Sequence, residues 1–162
     1  MPALRYAYVL ALVVWLGGMA TIGGVVAPAT FRTLESGDPV DGRSRAATVV
    51  GEVLRQFHIV SYVAGAVMLA SLFTMKLVGP RPPGFGARAA IVGAMLAASL
   101  LSGFVVDRRI SALREAIGAP VASLAASDPR RVSFGRLHAL STLLMATGIA
   151  GGLVLCFWET RE

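Results

Sequence analysis

The chain has 162 residues, of which 56% are hydrophobic and 15% charged, against roughly a quarter charged in an average soluble domain. With a mean hydropathy of +0.71, that points to one small domain built into a membrane, with the lipid bilayer as its first partner. The net charge of +6 does not signal nucleic acid, because no basic stretch is long enough, or interleaved with aromatics, to form such a surface; the single Cys156 excludes an internal disulfide and any Cys-based metal motif.

No charge lies between Arg5 and Arg32, a run longer than the ~20 residues needed to cross a bilayer. A cleaved secretory signal is the competing reading, since Ala27-Pro28-Ala29 loosely imitates a cleavage site. The segment is expected to stay as a first span over about residues 6–27. Ala20-xxx-Gly24 and the pairs Gly17-Gly18 and Gly23-Gly24 give it a small-residue face for close packing. Trp15 lies near mid-span, so its indole N–H is expected to turn into the bundle. Pro28 marks a kink or a stop.

From Thr30 to Phe57 the chain is polar, with Glu35-Ser-Gly-Asp-Pro39 as a turn cluster. Within it Ala46, Val49, Val50, Val53, Leu54 and Phe57 recur at helical spacing, an amphipathic helix running into a second span at about 56–76. His58, Ser61, Tyr62 and Gly65 share one side of that span. Leu77-Val-Gly-Pro-Arg-Pro-Pro-Gly84 is a tight connector no helix could cross. A third span at about 89–106 carries Gly93-xxx-Ala97, Ser99, Ser102 and Gly103. Its helix should continue through Val106, Ile110, Leu113 and Ile117, then end at Gly118-Ala-Pro120. Asp128 as N-cap and Pro129 at the first helical position open the last helix. It passes Arg136 and His138 and spans about 137–158, with Gly148-xxx-Gly152 as a packing pair and Cys156 as an inert packing residue.

The fold expected is therefore all-α: a single transmembrane domain, an up-down four-helix bundle with helical extensions on the long-loop side. Both termini and the Pro-rich connector share one side, where Tyr6, Tyr8 and Trp158 fit an interfacial belt. The long-loop side holds ten of the fifteen cations, so the positive-inside rule leans towards cytoplasmic long loops, although those loops are longer and the cation density is about equal. The expected location is a bacterial plasma membrane.

Chemistry is confined to few places. His58 follows Arg55 by three residues and His138 follows Arg136 by two, which puts both imidazoles at one depth on two parallel helices. Across the diagonal of a bundle with axes 8–10 Å apart, the separation is roughly 13 Å. That spacing suits a group held between them, such as a haem b with axial His58 and His138. Arg55, Arg108, Arg109 and Arg136 would then meet its propionates, and Asp107 could orient an imidazole. The plainer reading of each imidazole is a helix-end residue bonded to a nearby carbonyl, serine or carboxylate. A single metal ion on His58 and His138 lacks further ligands. Met19, Met68, Met95 and Met145 read as core filler rather than a copper ladder, and Asp107-Arg108-Arg109 as an interfacial ion-pair network. No phosphate loop, His-Glu-xx-His or Gly-x-Ser-x-Gly occurs, and no carboxylate lies inside a span, which argues against a proton-driven transporter.

Trp15-Leu-Gly-Gly, Ala27-Pro28-Ala29-Thr30-Phe31, Asp107-Arg-Arg-Ile110 with Leu113-Arg114, and Phe134-Gly-Arg-Leu-His138-Ala-Leu-Ser141 together resemble a membrane family of unknown function that includes transmembrane protein 205 of animals. In that family Gly often follows the histidine where this chain has Ala139. The family is similar in architecture to copper-resistance D-like proteins and to a four-span protoporphyrinogen oxidase that binds haem b. The resemblance implies a haem as a candidate cofactor and brings no reaction.

The leading expectation is a non-catalytic membrane protein, an accessory or structural subunit of a larger membrane complex. Its polar pocket is framed by Trp15, His58, Ser61, Asp107, Arg108, Arg109, Arg136, His138 and Ser141. A haem b redox protein, carrier or enzyme, is the second expectation, and a small-solute or ion pathway the third.

Overall fold

The computed structural model describes residues 2–37, 39–79 and 83–161, without the side chain of Val40. Four long helices make up almost all of it: α1 Pro2–Glu35, α2 Pro39–Val78, α3 Phe85–Ile117 and α4 Pro129–Glu159. No strand occurs among the described residues. Each helix is long and apolar enough to cross a membrane, and the chain is an integral multi-pass membrane protein. The helices pack in the ring α1–α2–α3–α4 and back to α1, the order of an up-down bundle. α2 and α4 lie on the diagonal.

Two local features let the helices run on past their expected limits. Proline has no N–H to give the preceding turn, and its ring crowds the carbonyl four residues back. Ahead of Pro28 the chain widens into a π-turn, Ile22–Val26, and the Ala27 N–H reaches the carbonyl of Ile22 five residues back. The helix therefore passes Pro28 instead of stopping and continues to Glu35. The long polar connection expected after Thr30 shrinks to a turn through Ser36 and Gly37, of which Asp38 lies outside the described residues. α1 and α2 cross so tightly there that a Cβ on Gly42 would strike the Leu34 carbonyl oxygen. A second π-turn, Ser102–Val106, interrupts α3, with the Asp107 N–H bonded to the Ser102 carbonyl.

The middle of the bundle is filled solidly. Trp15 is wholly buried among Leu12, Met19, Met68, Leu72, Met95 and Leu155. Its ring lies on Gly65, where a Cβ would come within 2.9 Å of the indole. Gly148 and Gly152 of α4 receive Met19 and Leu16 of α1, the close approach small residues permit in a membrane. The small-residue face of α1 is divided, since a Cβ on Gly18 would strike the Phe57 ring of α2. Gly17, Gly23 and Gly24 have open space where a side chain would stand, and so does Gly93 on α3. Ala20-xxx-Gly24 and Gly93-xxx-Ala97 thus turn away from the interior they were expected to pack.

At the end that carries the termini, Arg88 is 3% exposed. It donates to Glu159 at 2.5 Å and lies over the Trp158 ring at 5.6 Å. Arg5 reaches the same carboxylate at 3.3 Å. Tyr8, expected in an interfacial belt, is buried instead, while Tyr6 is exposed. Residues 80–82 of the Pro-rich connector lie outside the described residues; α3 begins after Gly84, whose φ of 62° is glycine's own region. At the other end, Gly118 takes φ 64° and closes α3, and Asp128 caps α4 by accepting from the Arg130 N–H at 2.8 Å.

Candidate functional site

The π-turn in α3 adds a residue to one turn and so re-aims the side chains beyond it, Asp107 first. Asp107 meets His58 of α2, with Oδ2 3.1 Å from Nδ1. Neither atom makes a hydrogen bond, so the contact is a close approach of imidazole and carboxylate rather than an aligned hydrogen bond. His58 is 8% exposed. One turn on, Tyr62 stacks on its ring at 6.2 Å, and Phe104 stacks on Tyr62 at 5.6 Å. His58 and Tyr62 both crowd the backbone at Gly103. A Cβ there would collide with the Tyr62 hydroxyl and come within 3.2 Å of the imidazole.

His138 lives in different surroundings. It is exposed on α4, with its ring parallel to Phe134 at 6.4 Å, and its carbonyl accepts from Thr142. It lines a cavity of about 540 Å³ that receives residues from all four helices, at the end opposite the termini. Of the candidate residues, the cavity gathers Arg55, Asp107, His138 and Ser141. The others sit elsewhere. Trp15 is core, and Ser61 is buried with its hydroxyl donating to the Phe57 carbonyl at 3.1 Å. Arg108 lies over the Phe104 ring at 5.5 Å. Arg109 and Arg136 are exposed and take no part in the cavity wall. The ion-pair network expected at Asp107-Arg108-Arg109 is replaced by the pairing of Asp107 with His58.

A haem held between the two imidazoles does not fit this arrangement. His58 is not part of the wall that His138 lines; it is clamped between Tyr62, Gly103 and Asp107. No group of three His, Cys, Asp or Glu suited to a metal ion occurs among the described residues.

Arg114 also belongs to the cavity wall. Asp107, Ile110, Ser111 and Arg114 follow one another at helical spacing along one face of α3, and all four line the cavity. Arg114 lies four residues after Ile110, on the same face of the helix. Arg114 is half-buried, with its guanidinium 5.4 Å above the Phe134 ring.

The profile described as Domain of unknown function (DUF4149) matches residues 10–119, well over half of the chain. The chain belongs to the DUF4149 family. No curated protein and no solved structure matches it. The DUF4149 region takes in most of α1, the whole of α2 and α3, the His58–Asp107 pair and Arg114. It ends at Ala119, before α4 brings Phe134 and His138 to the cavity. The expectation of an uncharacterised membrane family is met at that level.

Proposed function

We propose that this chain is a non-catalytic membrane protein that serves as an accessory or structural subunit of a larger membrane assembly. The observation that carries the reading is the outward direction of its small residues. On α3, Gly86, Ala90, Ala94 and Ala97 recur at helical spacing away from the buried face, and on α1 Gly17, Ala20 and Gly24 do the same. Lipid gives helices no hydrophobic reason to associate; packing at small-residue seams is what brings them together. Seams that the bundle leaves open are suited to helices of another chain. The ionisable groups that are buried inside the described bundle favour the same view, because Arg88 and His58 each have a carboxylate beside them. A solute pathway finds less support, since Trp15, Met68, Met95 and Leu155 fill the bundle beyond the cavity.

The test is extraction from native membranes in a mild detergent, followed by sizing. The wild type is expected to run in an assembly larger than one chain. Ala90→Leu with Ala94→Leu should release it while helical content by circular dichroism stays the same. A wild-type chain that always runs alone overturns the reading.

A further inference from the structure

The cavity at the end opposite the termini has a polarity the subunit reading does not use. Its deeper wall is apolar, built from Ile22, Leu54, Ile110 and Met145. Its outer wall holds Arg114 and His138, and both also line an adjoining cavity of about 720 Å³. Volumes of roughly 300–1,000 Å³ are those of ligand sites. Ile22 and Met145 belong to the membrane-crossing stretches, while Arg114 lies beyond its span, so the cavity straddles the hydrocarbon and the headgroup level.

The cavity wall carries two carboxylates, Glu52 and Asp107, and two arginines, Arg55 and Arg114. Arg55 donates to Glu52 at 2.9 and 2.6 Å. In the adjoining cavity Arg131 donates to the Leu124 carbonyl at 2.7 Å, and Arg43 faces Glu35 at 3.7 Å. The Asp107 carboxylate lies 3.1 Å from the His58 ring without an aligned hydrogen bond. Among the described residues, Arg114 alone of the wall's arginines has neither an ion pair nor a side-chain hydrogen bond; its one partner is the Phe134 ring. Its guanidinium reaches across to α2, where a Cβ on Gly51 would lie 3.9 Å from Nη1. A half-buried guanidinium with five donors and no acceptor is costly unless an anion meets it. His138, parallel to the same Phe134 ring, is a second donor at the same wall.

We propose that this cavity binds an anionic amphiphile, with a carboxylate or phosphate head on Arg114 beside His138 and an acyl chain against Ile22, Leu54, Ile110 and Met145. The chemistry is shared by an anionic lipid of the bilayer and a free single-chain acid. It is independent of the subunit reading, because the seams on α1 and α3 and the cavity are separate surfaces.

The experiment is native mass spectrometry of the full chain in phosphatidylcholine nanodiscs, with dodecyl phosphate as the probe. The wild type should retain the probe. Arg114→Gln should lower its occupancy on the order of tenfold, the loss of one hydrogen bond to a charged group. Arg109→Gln, an exposed arginine on the same helix, should leave it unchanged. Gly51→Leu keeps Arg114 and fills the space before it, and should exclude the probe as well; its fold is checked by circular dichroism. Competition then separates the sources: displacement by phosphatidylglycerol added to the disc assigns a bilayer lipid, and retention in its presence assigns a free single-chain acid. No retention by the wild type, or equal retention by the wild type and Arg114→Gln, overturns the proposal. So does equal displacement by the uncharged dodecyl maltoside.

Discussion

Arg88 and Arg114 sit on the same helix, about 39 Å apart along its axis, and they mark two ends of the bundle built on opposite terms. Arg88 is almost wholly buried, yet Glu159 and the Trp158 ring close around it, and the core begins directly beneath. Arg114 is less buried and has an aromatic ring but no carboxylate, and the interior beside it is open. Burial by itself therefore does not tell a structural arginine from one available to a ligand. What tells them apart is whether the chain supplies the counter-charge, since a buried charge without one is costly and a paired one is far less so.

The sharpest way to test that contrast is to take the counter-charge away. Glu159→Ala leaves Arg88 in the interior and releases Arg5. Breaking a buried pair from one side costs about 3–5 kcal/mol, to be read as a lower midpoint in detergent-dependent unfolding. Arg114→Gln, which removes a charge the chain itself does not pair, should shift the same midpoint by less than about 1 kcal/mol in either direction. Equal losses from the two substitutions would erase the distinction between the ends.

A smaller effect separates the packed side of α3 from its open side. Gly103→Ala drives a methyl into the Tyr62 hydroxyl and the His58 ring, and overpacking of that kind costs about 1–3 kcal/mol. Gly93→Ala meets open space and should be neutral or slightly stabilising in the same unfolding experiment. A cost at position 93 equal to that at 103 would mean that the outward seam is packed after all.

The smallest effect belongs to the cap of α4. The Arg130 side chain, and then its backbone N–H, hold the Asp128 carboxyl below the usual carboxylate range. Because the folded value is depressed, its contribution is complete above the ordinary aspartate range and fades as the pH falls through the lowered folded value. Asp128→Ala should therefore destabilise slightly near neutral pH and converge with the wild type in strong acid. Curves that stay parallel at every pH would exclude an ionic part in the cap.

Much of the fold is legible in local pattern. Hydrophobic runs mark the four spans, and Gly118, Asp128 and Pro129 mark helix ends that need only neighbouring residues to form. Pro28 reads as a kink or a stop because the rule for proline in a helix assumes an unbroken i to i−4 ladder. The π-turn beside it removes that assumption, and nothing in Ile22–Val26 announces it. Gly148-xxx-Gly152 packs inward as its spacing suggests, while Ala20-xxx-Gly24 and Gly93-xxx-Ala97 point outward, since a glycine seam looks the same whether it meets its own bundle or the outside. Of the residues singled out for chemistry, His138, Ser141, Asp107 and Arg55 come together at the cavity. His58 does not, because Tyr62 and Gly103 hold it in the α2–α3 seam.

The amino-acid order by itself determined the medium, the number of crossings and their up-down succession, because apolar length and helix signals act over a few turns. Only the tertiary structure decided which arginine found a carboxylate. Arg88 and Glu159 are 71 positions apart, and a counter-charge acts through distance in space, which the packing of α3 against α4 sets and no local spacing records.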